Sequence, residues 1–111
     1  MKAQRESDLV KGCRQLLALR GALAVRVNSG GVRAVNARGR GRLVKFNSEP
    51  GCSDLLACFR GRFVAVEVKR PGGRLTAAQK SFLEAVEVCG GVALVVTSVR
   101  QLQEALDRLG G

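Results

Sequence analysis

Histidine is absent from this chain of 111 residues, as are tryptophan and tyrosine, and phenylalanine occurs only four times. Without histidine the commonest general base is missing and catalytic triads built around imidazole are excluded. Any hydrolytic chemistry must therefore use carboxylates, lysine or water activated by a metal. The shortage of aromatics makes base stacking a poor principal mode of nucleic-acid binding. Acids are scarce too: nine Asp and Glu stand against nineteen Lys and Arg, a net charge of +10 that favours a polyanionic partner. Long apolar runs are also lacking. A spanning helix needs roughly 20 apolar residues, and Arg20 and Arg26 interrupt the longest candidate, residues 16–27. The N-terminus does not resemble a signal peptide. Nucleic acid is thus expected as the polyanion, with no membrane partner.

The four cysteines, Cys13, Cys52, Cys58 and Cys89, show no Cys-x-x-Cys spacing, and without histidine a zinc site would need all of them. Each occupies an apolar position, as small buried thiols do in a reducing compartment. Length allows one small domain, residues 1–111, with one core.

Against these absences stands one dense constellation. Asp54, in Gly51-Cys52-Ser53-Asp54, precedes Glu67 by thirteen positions, and Glu67 lies in Phe63-Val64-Ala65-Val66-Glu67-Val68-Lys69. That second segment reads as a strand whose odd positions share one face and whose valines share the other. Glu67 and Lys69 therefore point the same way, roughly 7 Å apart. They stand inside the most strand-like apolar run, where a charge is costly unless paired or metal-bound. An Asp, a Glu and a Lys suit an oxygen-ligated divalent cation with an ammonium beside it, the equipment for hydrolysing a phosphodiester.

The remaining pattern supplies a frame. Residues 6–19 read as a helix with Leu9, Cys13, Leu16, Leu17 and Arg20 at helical spacing, ended by Gly21. Glu6 shares the inward stripe of Leu9, Cys13 and Leu17. Strands are expected over residues 23–28, 32–36 and 43–46, the last two joined at Arg38-Gly39-Arg40-Gly41. Residues 54–59 and 63–69 form a second hairpin over Arg60-Gly61-Arg62. Pro71-Gly72-Gly73 breaks the chain before Thr76, a helix N-cap, and the helix runs to about Val88. Residues 92–96 are a short apolar strand, and Ser98 caps a last helix whose Val99, Leu102, Leu106 and Leu109 make a stripe for either the core or a dimer interface. The expected class is α/β, a mixed central sheet flanked by helices in the order α-β-β-β-β-β-α-β-α.

Gly51-Cys52-Ser53-Asp54, then Glu67-Val68-Lys69, then a helix opening Thr76-Ala77-Ala78-Gln79, resembles the PD-(D/E)XK nuclease superfamily, and within it the virus-type replication-repair nuclease (VRR-NUC) domains of stand-alone phage and bacterial type. The resemblance covers nearly the whole chain. Ser53 replaces the nominal proline before the aspartate, a departure the family tolerates because the carboxylate binds the metal. The resemblance implies a restriction-endonuclease-like core. It also implies that Glu6, Asp54, Glu67 and the Val68 carbonyl hold one or two Mg²⁺ or Mn²⁺ ions. Lys69 would position the attacking water or stabilise developing charge, and Gln79 would orient substrate or water. The loop bearing Asn28 and Ser29 would border the active site. No nucleotide cofactor is implied. The expected compartment is the cytoplasm of a bacterium or of a phage-infected host cell.

The basic residues fall into two groups. Arg33, Arg38, Arg40, Arg42 and Lys45 decorate the first hairpin, while Arg60, Arg62, Arg70 and Arg74 flank the site strand. Hairpins rich in Arg and Gly approach a phosphate backbone closely and neutralise it, so contacts to phosphate and substrate shape should dominate. The resemblance implies a structure-selective DNA endonuclease, with a Holliday junction as the substrate suggested by the stand-alone members. Symmetric cutting of a junction needs two active sites, hence a homodimer. Two alternatives remain: a less selective nuclease acting on flaps, single strands or ends, and a basic DNA-binding module without catalysis.

Overall fold

The computed structural model describes residues 5–27, 31–45 and 49–110, with the side chains of 31–34 and 42–45 outside that description. Asn28 and Ser29 lie outside the described residues, as do the side chains of Arg33, Arg42 and Lys45. The elements follow the order α1 (Glu6–Leu19), β1 (Leu23–Arg26), β2 (Gly31–Val35), β3 (Gly41–Lys45), β4 (Leu55–Phe59), β5 (Arg62–Val68), α2 (Ala77–Val88), β6 (Val92–Val96) and α3 (Val99–Arg108).

Four strands form a mixed sheet in the order β1-β4-β5-β6, with β6 parallel to β5 and the other pairs antiparallel. Its two faces receive different helices. Leu55, Ala57, Phe59, Val64, Val66 and Val68 point into a core completed by Leu9, Val10, Cys13 and Leu17 of α1 and by Leu102 and Leu106 of α3. The opposite face carries Ala65 beneath Leu83 and Val86 of α2. The alternation along β5 therefore holds, but both faces of its C-terminal half are buried, which is why this strand is apolar throughout.

The stripe on α3 belongs to the core: Leu102 and Leu106 are fully buried, and Val99 and Leu109 pack against the same cluster. Burying each leucine contributes about 1.5–3 kcal/mol. Gly12 allows α3 to approach, since a Cβ there would meet Val99 Cγ2 at 3.0 Å. Arg20, expected on the apolar stripe of α1, instead closes the helix and pairs with Asp107 at 2.9 Å, linking α1 to α3.

The first hairpin departs from the expectation of one continuous sheet. β2 and β3 form a separate two-stranded ribbon that makes no substantial contact with other elements among the described residues. The radius of gyration is 15.5 Å, against about 13 Å for a compact chain of this length. The ribbon's loop is organised by Asn36, expected as the end of a strand, whose Oδ1 accepts from the Arg38 and Arg40 backbone N–H groups at 2.9 and 3.0 Å. That turn chemistry leaves Arg38 and Arg40 exposed at the tip.

The second hairpin is tighter than expected. Phe59 pairs with Arg62, so only Arg60 and Gly61 form the loop, both with positive φ, 51° and 79°. Such two-residue turns match the twist of the flanking strands.

Two cysteines also depart from expectation. Cys13 and Cys52 are buried, whereas Cys58 and Cys89 are exposed. α2 covers only the β5–β6 half of its face, leaving Cys58 uncovered beside exposed Leu23, Val25 and Phe63. Cys89 is the C-cap of α2.

Candidate metal centre

The hairpin register builds the centre. Leu55 lies opposite Val66, so the next pair along puts Asp54 opposite Glu67, and directly opposed residues share a face. Asp54 is held on both sides: its carbonyl accepts from Val27 N–H at 2.8 Å, and its Oδ2 accepts from Val68 N–H at 2.8 Å. Lys69 follows immediately, its N–H donating to the Val96 carbonyl at 2.9 Å. The strand pairing that makes the sheet thus also brings Asp54, Glu67 and Lys69 together.

Glu67 is buried, with 2% of its surface exposed, and its Oε2 has no hydrogen-bond partner. Its pKa is raised from the usual 4.5 to about 8, first by burial, then by the neighbouring Asp54 carboxylate and the charge of Glu6, with Lys69 offsetting part of the effect. Without a cation Glu67 accordingly favours its protonated form. A carboxylate oxygen buried, unpartnered and crowded by a second carboxylate is what an all-oxygen site for a hard divalent ion requires, so the residues fit Mg²⁺ or Mn²⁺.

Glu6 lies in the first turn of α1, half-buried, close enough for its charge to act on Glu67. Among the described residues, however, no three acidic, thiol or imidazole groups converge on one cation position. Asp54 and Glu67 form the centre of the site, and Glu6 stands at its edge. Cys13 is buried behind the site; burial and the Asp54 charge push its thiol up to about 11, and a soft sulfur is a poor ligand for a hard cation.

Gln79 reaches the site from α2. Thr76 and Gln79 form a capping box, with Gln79 N–H donating to Thr76 Oγ1 at 3.1 Å and Gln79 Oε1 accepting from Thr76 N–H at 2.9 Å. The Gln79 Nε2 donates to Glu67 Oε1 at 3.4 Å. Gly51, not singled out by sequence beyond its place in the motif, closes the arrangement. Its φ is +71°, and a Cβ there would overlap the Ala78 carbonyl, so only glycine lets the motif loop lie against the start of α2. Ser53, immediately before Asp54, is fully buried, and its Oγ has no hydrogen-bond partner.

The two basic groups take different places. Arg70 and Arg74 are exposed beside Lys69, around a turn in which Pro71 is followed by Gly72 at φ +84° and Gly73 N–H donates to the Arg70 carbonyl at 2.8 Å. These are the marks of a type II turn. Arg38 and Arg40 stand at the tip of the separate ribbon, which leaves β1 and rejoins the chain ahead of Asp54.

The family profile described as VRR-NUC domain matches residues 5–100. A solved structure titled "VRR_NUC domain" is similar over 95% of this chain and 97% of its own, with a TM-score of 0.66 at 22% sequence identity. Comparison with curated proteins gave no match.

Proposed function

Because the chain belongs to the VRR-NUC domain family, we propose that this nuclease domain is a Mg²⁺- or Mn²⁺-dependent DNA endonuclease, acting on branched DNA of the four-way-junction kind. The observation that carries the reading is the meeting of Asp54 and Glu67 across the β4–β5 pair, with Glu67 Oε2 buried and unpartnered and Lys69 adjacent.

Asp54 and Glu67, with the Val68 carbonyl and Glu6 at the margin, would hold the cation. What the cation supplies when bound is polarisation of the scissile phosphate and of the attacking water. Asp54, pinned by Val68 N–H, and Glu67, engaged by Gln79, keep their oxygens in place without rearrangement. Lys69 brings a positive charge to the position where negative charge grows on the phosphate. Arg70 and Arg74 flank that position and would hold the backbone there. Arg38 and Arg40, on a projecting ribbon, would engage a second stretch of backbone. Two separated basic groups suit a substrate with more than one duplex arm better than a single straight duplex. Cutting a junction symmetrically requires two copies of the chain, and their contact must lie elsewhere than the α3 stripe, which the core consumes.

The test is cleavage of an immobile four-way junction beside a flap, a duplex and a single strand, each with and without Mg²⁺. The expected result is Mg²⁺-dependent cutting of the junction in preference to the others, abolished in Asp54→Asn. Equal cutting of all four substrates would replace junction selectivity with a general nuclease. No cutting under any metal, with DNA still bound, would leave a binding module.

A further inference from the structure

The side chain of Gln79 has two unlike ends, and the structure commits both. Its oxygen accepts from Thr76 N–H at 2.9 Å, and its amide nitrogen donates to Glu67 Oε1 at 3.4 Å. Reversing the amide would set its NH₂ against the Thr76 N–H and its oxygen against the Glu67 carboxylate, repulsive at both ends, so the network admits one orientation. Glu67 is thereby engaged through Oε1, and its buried Oε2 is the oxygen left without a partner.

We propose that Gln79 is a positioning residue that holds Glu67 so that Oε2 stays open to the cation; the backbone N–H of Thr76, held in place by the cap its hydroxyl makes with Gln79 N–H, decides which end of the amide Glu67 meets. The inference rests on the nuclease reading above and assigns Gln79 to the carboxylate instead of the substrate. The local design supports it. A helix N-terminus needs acceptors for its free N–H groups, and a Thr at the cap with a Gln three residues on satisfies two of them reciprocally. The capping demand that starts α2 therefore also fixes the side chain that reaches the site. Gly51 brings the two parts within range, because the loop leading to Asp54 rests on the Ala78–Gln79 backbone.

Mn²⁺ affinity, read by electron paramagnetic resonance without DNA, tests the proposal in Gln79→Ala, Thr76→Val and Thr76→Ser, with circular dichroism as the control for folding. Loss of a residue that orients a ligand weakens metal binding by about 10–100-fold. Gln79→Ala is expected in that range, Thr76→Val to weaken binding by at least about threefold, and Thr76→Ser to restore wild-type affinity because its hydroxyl keeps the cap. In cleavage assays the Gln79→Ala defect should shrink as Mn²⁺ is raised, with the KM for junction DNA unchanged. Wild-type Mn²⁺ affinity in Gln79→Ala, with a raised KM that added metal does not relieve, would overturn the proposal and return Gln79 to the substrate. Tight Mn²⁺ binding lost in Gln79→Ala, in a protein that cuts no DNA, would sink the nuclease reading and leave the clamp standing. A wild-type protein without Mn²⁺ affinity would overturn both.

Discussion

Replacing Glu67 with glutamine should stabilise the metal-free protein, and only at neutral and alkaline pH. Folding raises the carboxyl's pKa from 4.5 to about 8. Below pH 4.5 the group is protonated in both states and costs nothing. Between 4.5 and 8 the folded chain retains a proton that the unfolded chain has released, so this group's contribution to stability falls as pH rises, and above 8 the full penalty is present. A separation of that size corresponds to at most about 5 kcal/mol. Lys69 and Gln79 are only half-buried at the mouth of the site, so water relieves part of the cost, and about 2 kcal/mol is the reasonable expectation. The assay is thermal unfolding in EDTA from pH 5 to pH 9. The global self-repulsion of a chain with net charge +10 also changes with pH, so the difference between variant and wild type is the quantity to follow. Glu67→Gln should melt within about 4 °C of wild type at pH 5 and about 8 °C higher at pH 9. Adding Mn²⁺ at pH 8 should then raise the wild type and leave the variant unmoved. A variant that melts below wild type at both ends of the range would show that Glu67 is satisfied within the protein, and the account of a carboxylate held open for a cation would be wrong.

Three further outcomes follow from other parts of the molecule. Asp54→Asn and Lys69→Ala should each abolish cleavage while leaving DNA binding within about threefold of wild type, since phosphate contacts to arginines supply most of the affinity; a cleavage assay paired with a gel-shift titration checks both. Gly51→Ala should destabilise the fold by at least about 2 kcal/mol in chemical denaturation, because it combines a positive φ with overlap on Ala78, and an unchanged midpoint would refute the close approach. Leu106→Ala should cost about 2–5 kcal/mol without changing the oligomeric state seen by light scattering; a small cost with loss of assembly would make the α3 stripe an interface after all.

Much of this was legible along the chain because the signals are local. α1 and α3 follow from apolar spacing at 3.6 residues, Thr76 and Ser98 are caps whose oxygens accept from Gln79 and Gln101 N–H, and Gly61 marks a hairpin loop. Asp54, Glu67 and Lys69 stood out because charged residues interrupt or border an apolar strand, a cost that needs a reason. The exposure of Cys58 was not legible, since apolar context on a strand does not say whether a helix covers that half of the face. Nor was the separation of the β2–β3 ribbon, because a hairpin's own residues determine its turn but not the sheet it joins.

The chain alone determined the identity of the chemical groups, their order, and the local periods and caps that make helices and strands, all of which depend on neighbours a few residues away. Tertiary structure decided which of those groups meet. Strand register sets Asp54 against Glu67 across thirteen positions of sequence, burial raises Glu67's affinity for a proton, and the cap of α2 aims Gln79 at it. Distance and desolvation depend on the packing of segments remote in sequence, and no local pattern encodes them.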